Sequence, residues 1–205
     1  MVAAAVLGDT ADALADLRLF GFVAFEGRTS AADVLSGLGT QSDPAILEPR
    51  SPEAADPWSH SGVVGYGEFP WHTDGAVAPI PPRWMILECL ADDSGSPTDL
   101  VDPPSEILAL FRRTLLVSRD RAGRVRYLPA AAPLGQNRFR VRWDPRVCAP
   151  STGDISRIVD ELEPSSSLKW RVGMLLIVDN HRLLHRRPAV RPGVTRRLRR
   201  TYIGG

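Results

Sequence analysis

Lysine is almost missing from this 205-residue chain: of 25 basic residues only Lys169 is a lysine, and the rest are arginines. With abundant alanine, glycine and proline, that bias fits a GC-rich coding sequence. Cysteine is scarce too, with Cys89 and Cys148 alone. Two thiols build no disulfide framework, and Cys89, set in an apolar run, reads as a buried thiol. Neither charge sign dominates, since the formal net charge is +1. That balance gives no field favouring nucleic acid or a membrane surface. No apolar run approaches the roughly 20 residues of a membrane-spanning helix. Residues 1–7 are apolar but have no basic residues ahead of them, so no signal peptide is read and the cytoplasm is the expected compartment.

What is present is ordinary for a soluble globular protein: 43% hydrophobic and 24% charged residues. The length suits one domain over residues 1–205 with a proper core. Apolar spacing predicts helices over residues 10–20, 30–38, 102–116 and 154–163. Gly21 stops the first, Ser30 caps the second with Asp33 near its N-terminus, and Asp102 caps the third with Pro103 at its first position. Strands are expected over 22–25, 83–90, 98–101, 124–128, 138–143, 170–178, 183–187 and 194–203, with one at His72–Asp74 into which residues 63–69 lead. Residues 39–60 read as a loop, and 76–82, with three prolines, as irregular. In the 138–143 strand Phe139, Val141 and Trp143 face one way, and Arg138, Arg140 and Arg142 face a solvated side. Many short strands, few helices and frequent Gly/Pro turns predict a mainly β fold with flanking helices, a sandwich or jelly roll.

The chemistry gathers at Trp71-His72-Thr73-Asp74-Gly75. On a strand, positions i and i+2 share a face, so His72 and Asp74 can hold a divalent metal together. A third ligand must come from elsewhere, and the stretch from Val178 through Asp179, Asn180 and His181 to His185 offers it. Two His and one carboxylate on one face of a metal leave coordination positions open, the arrangement of non-haem Fe(II) oxygenases. His181 and His185 compete for the third place.

Four blocks occur in order: Trp-His-Thr-Asp-Gly at 71–75, Gly-Ser-Pro-Thr-Asp-Leu-Val-Asp at 95–102, Trp-Arg-Val-Gly-Met-Leu-Leu-Ile-Val-Asp-Asn-His-Arg-Leu-Leu-His at 170–185, and Arg-Arg-Leu-Arg-Arg-Thr-Tyr-Ile at 196–203. Together they resemble the Fe(II)/2-oxoglutarate-dependent dioxygenases of the taurine dioxygenase and clavaminate synthase-like group, from about Gly65 to the end. The resemblance implies a double-stranded β-helix (jelly roll). It implies His72, Asp74 and His185 as metal ligands, with His181 outside the set. Thr98 and Arg196 would bind 2-oxoglutarate, Arg200 would touch substrate or support the site, and Asn180 would orient the ligand strand. Arg196 and Arg200 then share a strand face, with Arg197 and Arg199 solvated. The implied reaction uses Fe(II), O2 and 2-oxoglutarate, yields succinate and CO2, and oxidises an unactivated C–H bond of a small molecule such as an amino acid or natural-product intermediate. In halogenating relatives a small residue stands at the carboxylate position; here it is Asp74. The group's usual Gly after the ligand His is Arg186 here. The lean segment between Leu128 and Trp170 suggests an open pocket or one completed by a partner chain, so a homo-oligomer is compatible with the sequence. Three rivals remain: a metal-dependent hydrolase with the same His/Asp/His ligands, a non-catalytic jelly-roll binding module, and a nucleic-acid demethylase. The last is disfavoured because no overall basic excess or aromatic stacking pattern accompanies the arginines.

Overall fold

The computed structural model describes residues 6–7, 10–26, 39–136, 138–153 and 155–204, so the helix expected over 30–38 lies outside them. In chain order the elements are β1 (Val6–Leu7), α1 (Thr10–Phe20), β2 (Phe22–Phe25), β3 (Ala45–Leu47), a 3-10 turn (Pro52–Ala54), α2 (His60–Val64), β4 (Trp84–Asp92), β5 (Thr98–Val101), α3 (Ser105–Phe111), β6 (Leu115–Arg119), β7 (Val125–Pro129), β8 (Ala131–Gly135), β9 (Arg138–Val141), β10 (Cys148–Pro150), α4 (Ser156–Asp160), β11 (Ser166–Leu168), β12 (Leu175–Asp179), β13 (Leu184–Arg186) and β14 (Arg196–Ile203).

A six-stranded sheet runs β1-β2-β12-β4-β14-β3, and a three-stranded sheet, β11-β5-β13, faces it; β10-β6-β7 and the β8-β9 hairpin complete the strands. Among these pairings only β1 with β2 is parallel. The sheets are not closed. This is the expected mainly β architecture, with the two facing sheets of a double-stranded β-helix. No helix among the described residues is long and apolar enough to cross a membrane.

Strand β12 shows why the large sheet forms. Its residues Leu175–Asp179 are all buried, because the strand has cover on both faces. Leu175 and Ile177 pack with Ala13 and Leu17 of α1, whereas Leu176 and Val178 pack with Leu100 and Leu168 of the small sheet. Side chains such as Leu176 and Ile177, wholly buried, each contribute about 1.5–3 kcal/mol. A third cluster, around Trp71, Phe111, Trp143 and Leu184, fills the space beyond the small sheet.

Several expectations shift. Residues 39–60 are not all loop, since β3 and the 3-10 turn lie there. Helix α2 reaches into the 63–69 stretch expected to lead into the His72–Asp74 strand: Ser59 accepts a hydrogen bond from the Gly62 amide and caps it. Helices α3 and α4 are shorter than predicted. Asp102 does not cap α3; its carboxylate takes Arg182 instead, and the N-cap is Pro104, with no side-chain cap bond. Gly21 stops α1 as expected, with φ 80 and its amide bonded to the Leu17 carbonyl.

Candidate metal centre

His72 belongs to no extended strand. It forms an antiparallel bridge with His185 of β13, with hydrogen bonds in both directions between the two backbones. The chain then turns, so Asp74 reaches the same side through a turn rather than along a strand. The two side chains therefore converge through a bridge and a turn, not through alternation along one strand. Ligand atoms of His72, Asp74 and His185, all buried, lie within 4.8 Å of one another. Nε2 of His72 is 3.9 Å from Asp74 Oδ1, and Nε2 of His185 is 3.8 Å from Oδ2. These gaps exceed hydrogen bonds but suit atoms sharing an ion at about 2.0–2.2 Å.

The electrostatics favour the ligand forms. The Nδ1 of His72 lies 2.8 Å from the Pro70 carbonyl, and donation there leaves Nε2 with its lone pair turned to the centre. Burial, reinforced by His72, pushes the His185 imidazole down to about 3. It is therefore neutral at physiological pH. Burial alone would raise the Asp74 carboxyl, but Arg200, His185 and His72 outweigh it and hold the group below the ordinary carboxylate range.

Distant residues set this turn. The Asn180 side chain, fully buried, accepts from the Asp74 amide (2.7 Å) and donates to the Asp74 and Pro82 carbonyls (3.0 and 2.8 Å). Gly75 follows at φ 72, and a Cβ there would meet Pro82 Cδ at 2.8 Å. Thr73 points away from the centre: its amide donates to the Trp143 carbonyl and its hydroxyl accepts from the Trp143 amide. Arg142, expected on a solvated face, is instead 2% exposed. Its guanidinium donates to the carbonyls of Ala76, Ala78 and Pro79, pinning the irregular segment after Asp74. The arginine alternation there hid one buried member.

Thr98 on β5 and Arg196 on β14 meet directly: Arg196 Nη2 donates to Thr98 Oγ1 at 3.0 Å, and Trp170 Nε1 donates to the same oxygen at 3.0 Å. Arg196 is buried, and burial lowers it to about 10. Among the described residues no carboxylate lies within salt-bridge distance of it. Arg200 Nη1 is 3.3 Å from Asp74 Oδ2, and its guanidinium lies 4.8 Å from the Tyr202 ring centre. Arg197 and Arg199 are exposed and pair with Glu48 and Glu88. His181 sits apart, its Nε2 2.9 Å from the Pro81 carbonyl. Arg186 bridges Glu68 (2.7 Å) and Asp99 (3.3 Å) and lies over Trp71.

His72, Asp74, Thr98, His185, Arg196 and Arg200 line a cavity of about 510 Å³. Sequence reasoning missed several of its residues. His60, on α2, stacks on Phe69 and has its ring centre 3.9 Å from that of His72. Arg146 lines the cavity too, as does Arg187, which donates to the Gly65 and Gly67 carbonyls and lies over Phe69. The one local signal was Ser59, a helix cap inside a stretch read as loop. Trp170, whose sequence position marks only the start of an expected strand, is a donor to Thr98.

The profile of the family described as "Taurine catabolism dioxygenase TauD, TfdA family" matches residues 155–202. No curated protein matches the chain. Among solved structures, PvcB of Pseudomonas aeruginosa is 18% identical with a TM-score of 0.66, covering 97% of this chain and 81% of its own. AAD-2, solved with Mn(II) and N-oxalylglycine, is 14% identical with a TM-score of 0.69, covering 98% of this chain and 92% of its own. An asparagine oxygenase solved with Fe(II), 3-hydroxyasparagine and succinate is 17% identical with a TM-score of 0.68, covering 95% and 78%.

Proposed function

We propose that this chain is an Fe(II)- and 2-oxoglutarate-dependent oxygenase of the TauD/TfdA kind, a single domain over residues 1–205 that oxidises a C–H bond of a small molecule. One observation carries the reading: a buried His/Asp/His cluster shares its cavity with a buried guanidinium, Arg196, that has no carboxylate within salt-bridge distance among the described residues. The donor set fits the metal, because two neutral imidazoles and one carboxylate are the ligands a non-haem Fe(II) oxygenase presents. His72, Asp74 and His185 would hold the ion. When bound, the iron with 2-oxoglutarate and O2 supplies the oxidising chemistry, forming succinate and CO2 as the substrate is oxidised.

The chain's own residues bind, orient and shield. Arg196 takes the distal carboxylate of 2-oxoglutarate through a planar, two-pronged contact, and Thr98 and Trp170 hold the guanidinium in place. Arg200 holds Asp74 in its charged form until the ion arrives. Asn180 sets the direction of the Asp74 backbone, a support that in metal sites is worth about 10–100-fold in affinity. The cavity walls keep the reacting groups together and limit water. Relatives of similar fold include the asparagine oxygenase and PvcB, the latter from an isonitrile synthetic pathway, which supports an amino acid or natural-product intermediate as substrate.

The test is O2 uptake and succinate formation by protein loaded with Fe(II), with and without 2-oxoglutarate. Stoichiometric consumption of both supports the reading. Ester or amide hydrolysis by the Zn(II) form, without O2 uptake by the Fe(II) form, would replace it with a hydrolase.

A further inference from the structure

The cavity has a second polar wall that the metal ligands and Arg196 do not use. Thr73 builds it. By clasping the Trp143 backbone, this middle residue of His-Thr-Asp brings the next residues, Asp144 and Arg146, beside the centre. Asp144 is buried; its Oδ1 accepts from the Arg146 amide (3.0 Å) and its Oδ2 from Arg146 Nη2 (2.7 Å). The Nε2 of His60 stands 3.8 Å from that same Oδ2. One carboxylate thus positions a guanidinium, with an imidazole standing beside it, at one edge of the cavity.

Neither side chain is satisfied there. Nε and Nη1 of Arg146 and both ring nitrogens of His60 are buried without a hydrogen-bond partner. Buried polar groups in folded proteins are nearly always paired, so a cluster of orphans beside a cavity calls for a ligand. Nε and Nη1 of Arg146 are donors only, so what they lack is an acceptor. The lining as a whole points the same way, with seven arginines against the acids Glu48, Asp56 and Asp74. Arg50, Arg121 and Arg200 already face those three acids. Among the described residues Arg187 and Arg196 have no carboxylate within salt-bridge distance, and one 2-oxoglutarate would satisfy only Arg196.

We propose that Arg146 and His60 form the substrate-recognition wall, and that the substrate carries a carboxylate which Arg146 grips while His60 donates to or packs against it. The assignment rests on the oxygenase reading above and adds its substrate class. Arg146, stiffened by Asp144, offers a planar fork of the kind that selects carboxylates.

Calorimetry on protein loaded with Mn(II) and N-oxalylglycine separates the two readings. Binding of Mn(II) and N-oxalylglycine, measured first, tests the centre itself. The loaded protein is then titrated with the protein amino acids and common dicarboxylic acids, each beside its carboxamide. We expect at least one acid to bind saturably and its carboxamide to bind at least tenfold more weakly. Arg146→Gln should remove that preference; Arg146→Lys, which keeps the charge but not the fork, should keep the preference with weaker binding. Both variants are checked for native circular dichroism, and His60→Gln gives an independent readout on the same wall, with acid binding weakened several-fold. Equal binding of acids and carboxamides, binding by no acid, or a preference that survives Arg146→Gln in folded protein would overturn the proposal.

Discussion

At the scale of single residues, the centre depends on which imidazole points where. His185 shares a backbone bridge with His72, whereas the His181 ring contacts the Pro81 carbonyl. His185→Ala should abolish tight Mn(II) or Fe(II) binding, and His181→Ala should retain it within a few-fold; metal titration of both variants decides, and the reverse pattern would exchange their roles. The cosubstrate prediction follows from guanidinium geometry. Arg196→Lys loses the two-pronged grip, so the apparent KM for 2-oxoglutarate should rise tenfold or more. A rise seen only with Arg200→Lys would move the cosubstrate contact two pleats along β14. Under the proposed oxygenase reading Asp74 would set the outcome of the reaction, because a protein carboxylate would fill a place a halide needs and repel an anion. Turnover in bromide-rich buffer should therefore give oxygenated product only, with mass spectrometry of the product as the check and a brominated product as the result that sinks the idea.

At the scale of elements, the site is a junction of separate pieces held by buried polar ties. The segment after Asp74 has three prolines and few backbone ladder bonds of its own, and Arg142 of the β9 end supplies what it lacks. Replacing Arg142 by Leu leaves those carbonyls unpaired in the interior. The expected cost is about 2–4 kcal/mol, from the 1–3 kcal/mol typical of each buried unsatisfied group with partial relaxation. Urea unfolding should show a lower midpoint with an unchanged slope; a change below ~0.5 kcal/mol would mean the loop does not need the tie. Helix α2 is a comparable case. It is one turn and a half long, and its cap at Ser59 serves to bring His60 against Phe69 and His72.

At the scale of the whole molecule, buried imidazoles couple the fold to acid. Burial lowers His60, His181 and His185, the last to about 3. Each is depressed below the unfolded value of about 6.5, so the unfolded chain binds more protons as pH falls through that value, and folding stability drops. Asp74, also depressed, adds stability above the ordinary carboxylate range and loses it further down. Both signs agree. Metal-free protein should be most stable near pH 7 and lose stability steadily from about pH 6.5 towards 4, read as the urea midpoint in chelator. A midpoint that holds or rises on acidification would show that these groups are not buried neutral in solution.

The resemblance of four ordered blocks to a known family supplied His185, Thr98 and Arg196; residue types and spacing alone were enough to pair His72 with Asp74 and to mark the apolar run at 170–178 as a strand. These are local properties: side-chain chemistry and periodicity are written in neighbouring residues. The helix starting at His60, the burial of Arg142, the pairing of Arg200 with Asp74 and the His60–Asp144–Arg146 wall were not legible in that way. Alternation along a strand tells which face a side chain takes but not what covers that face. For Arg142 the cover is the 76–79 backbone, more than sixty residues earlier in the chain. For Arg146 and His60 it is a cavity wall at whose edge Thr73 ties the Trp143 segment to the His72–Asp74 turn. Tertiary structure decided these roles because a buried cation is defined by its partners, and here the partners come from other elements.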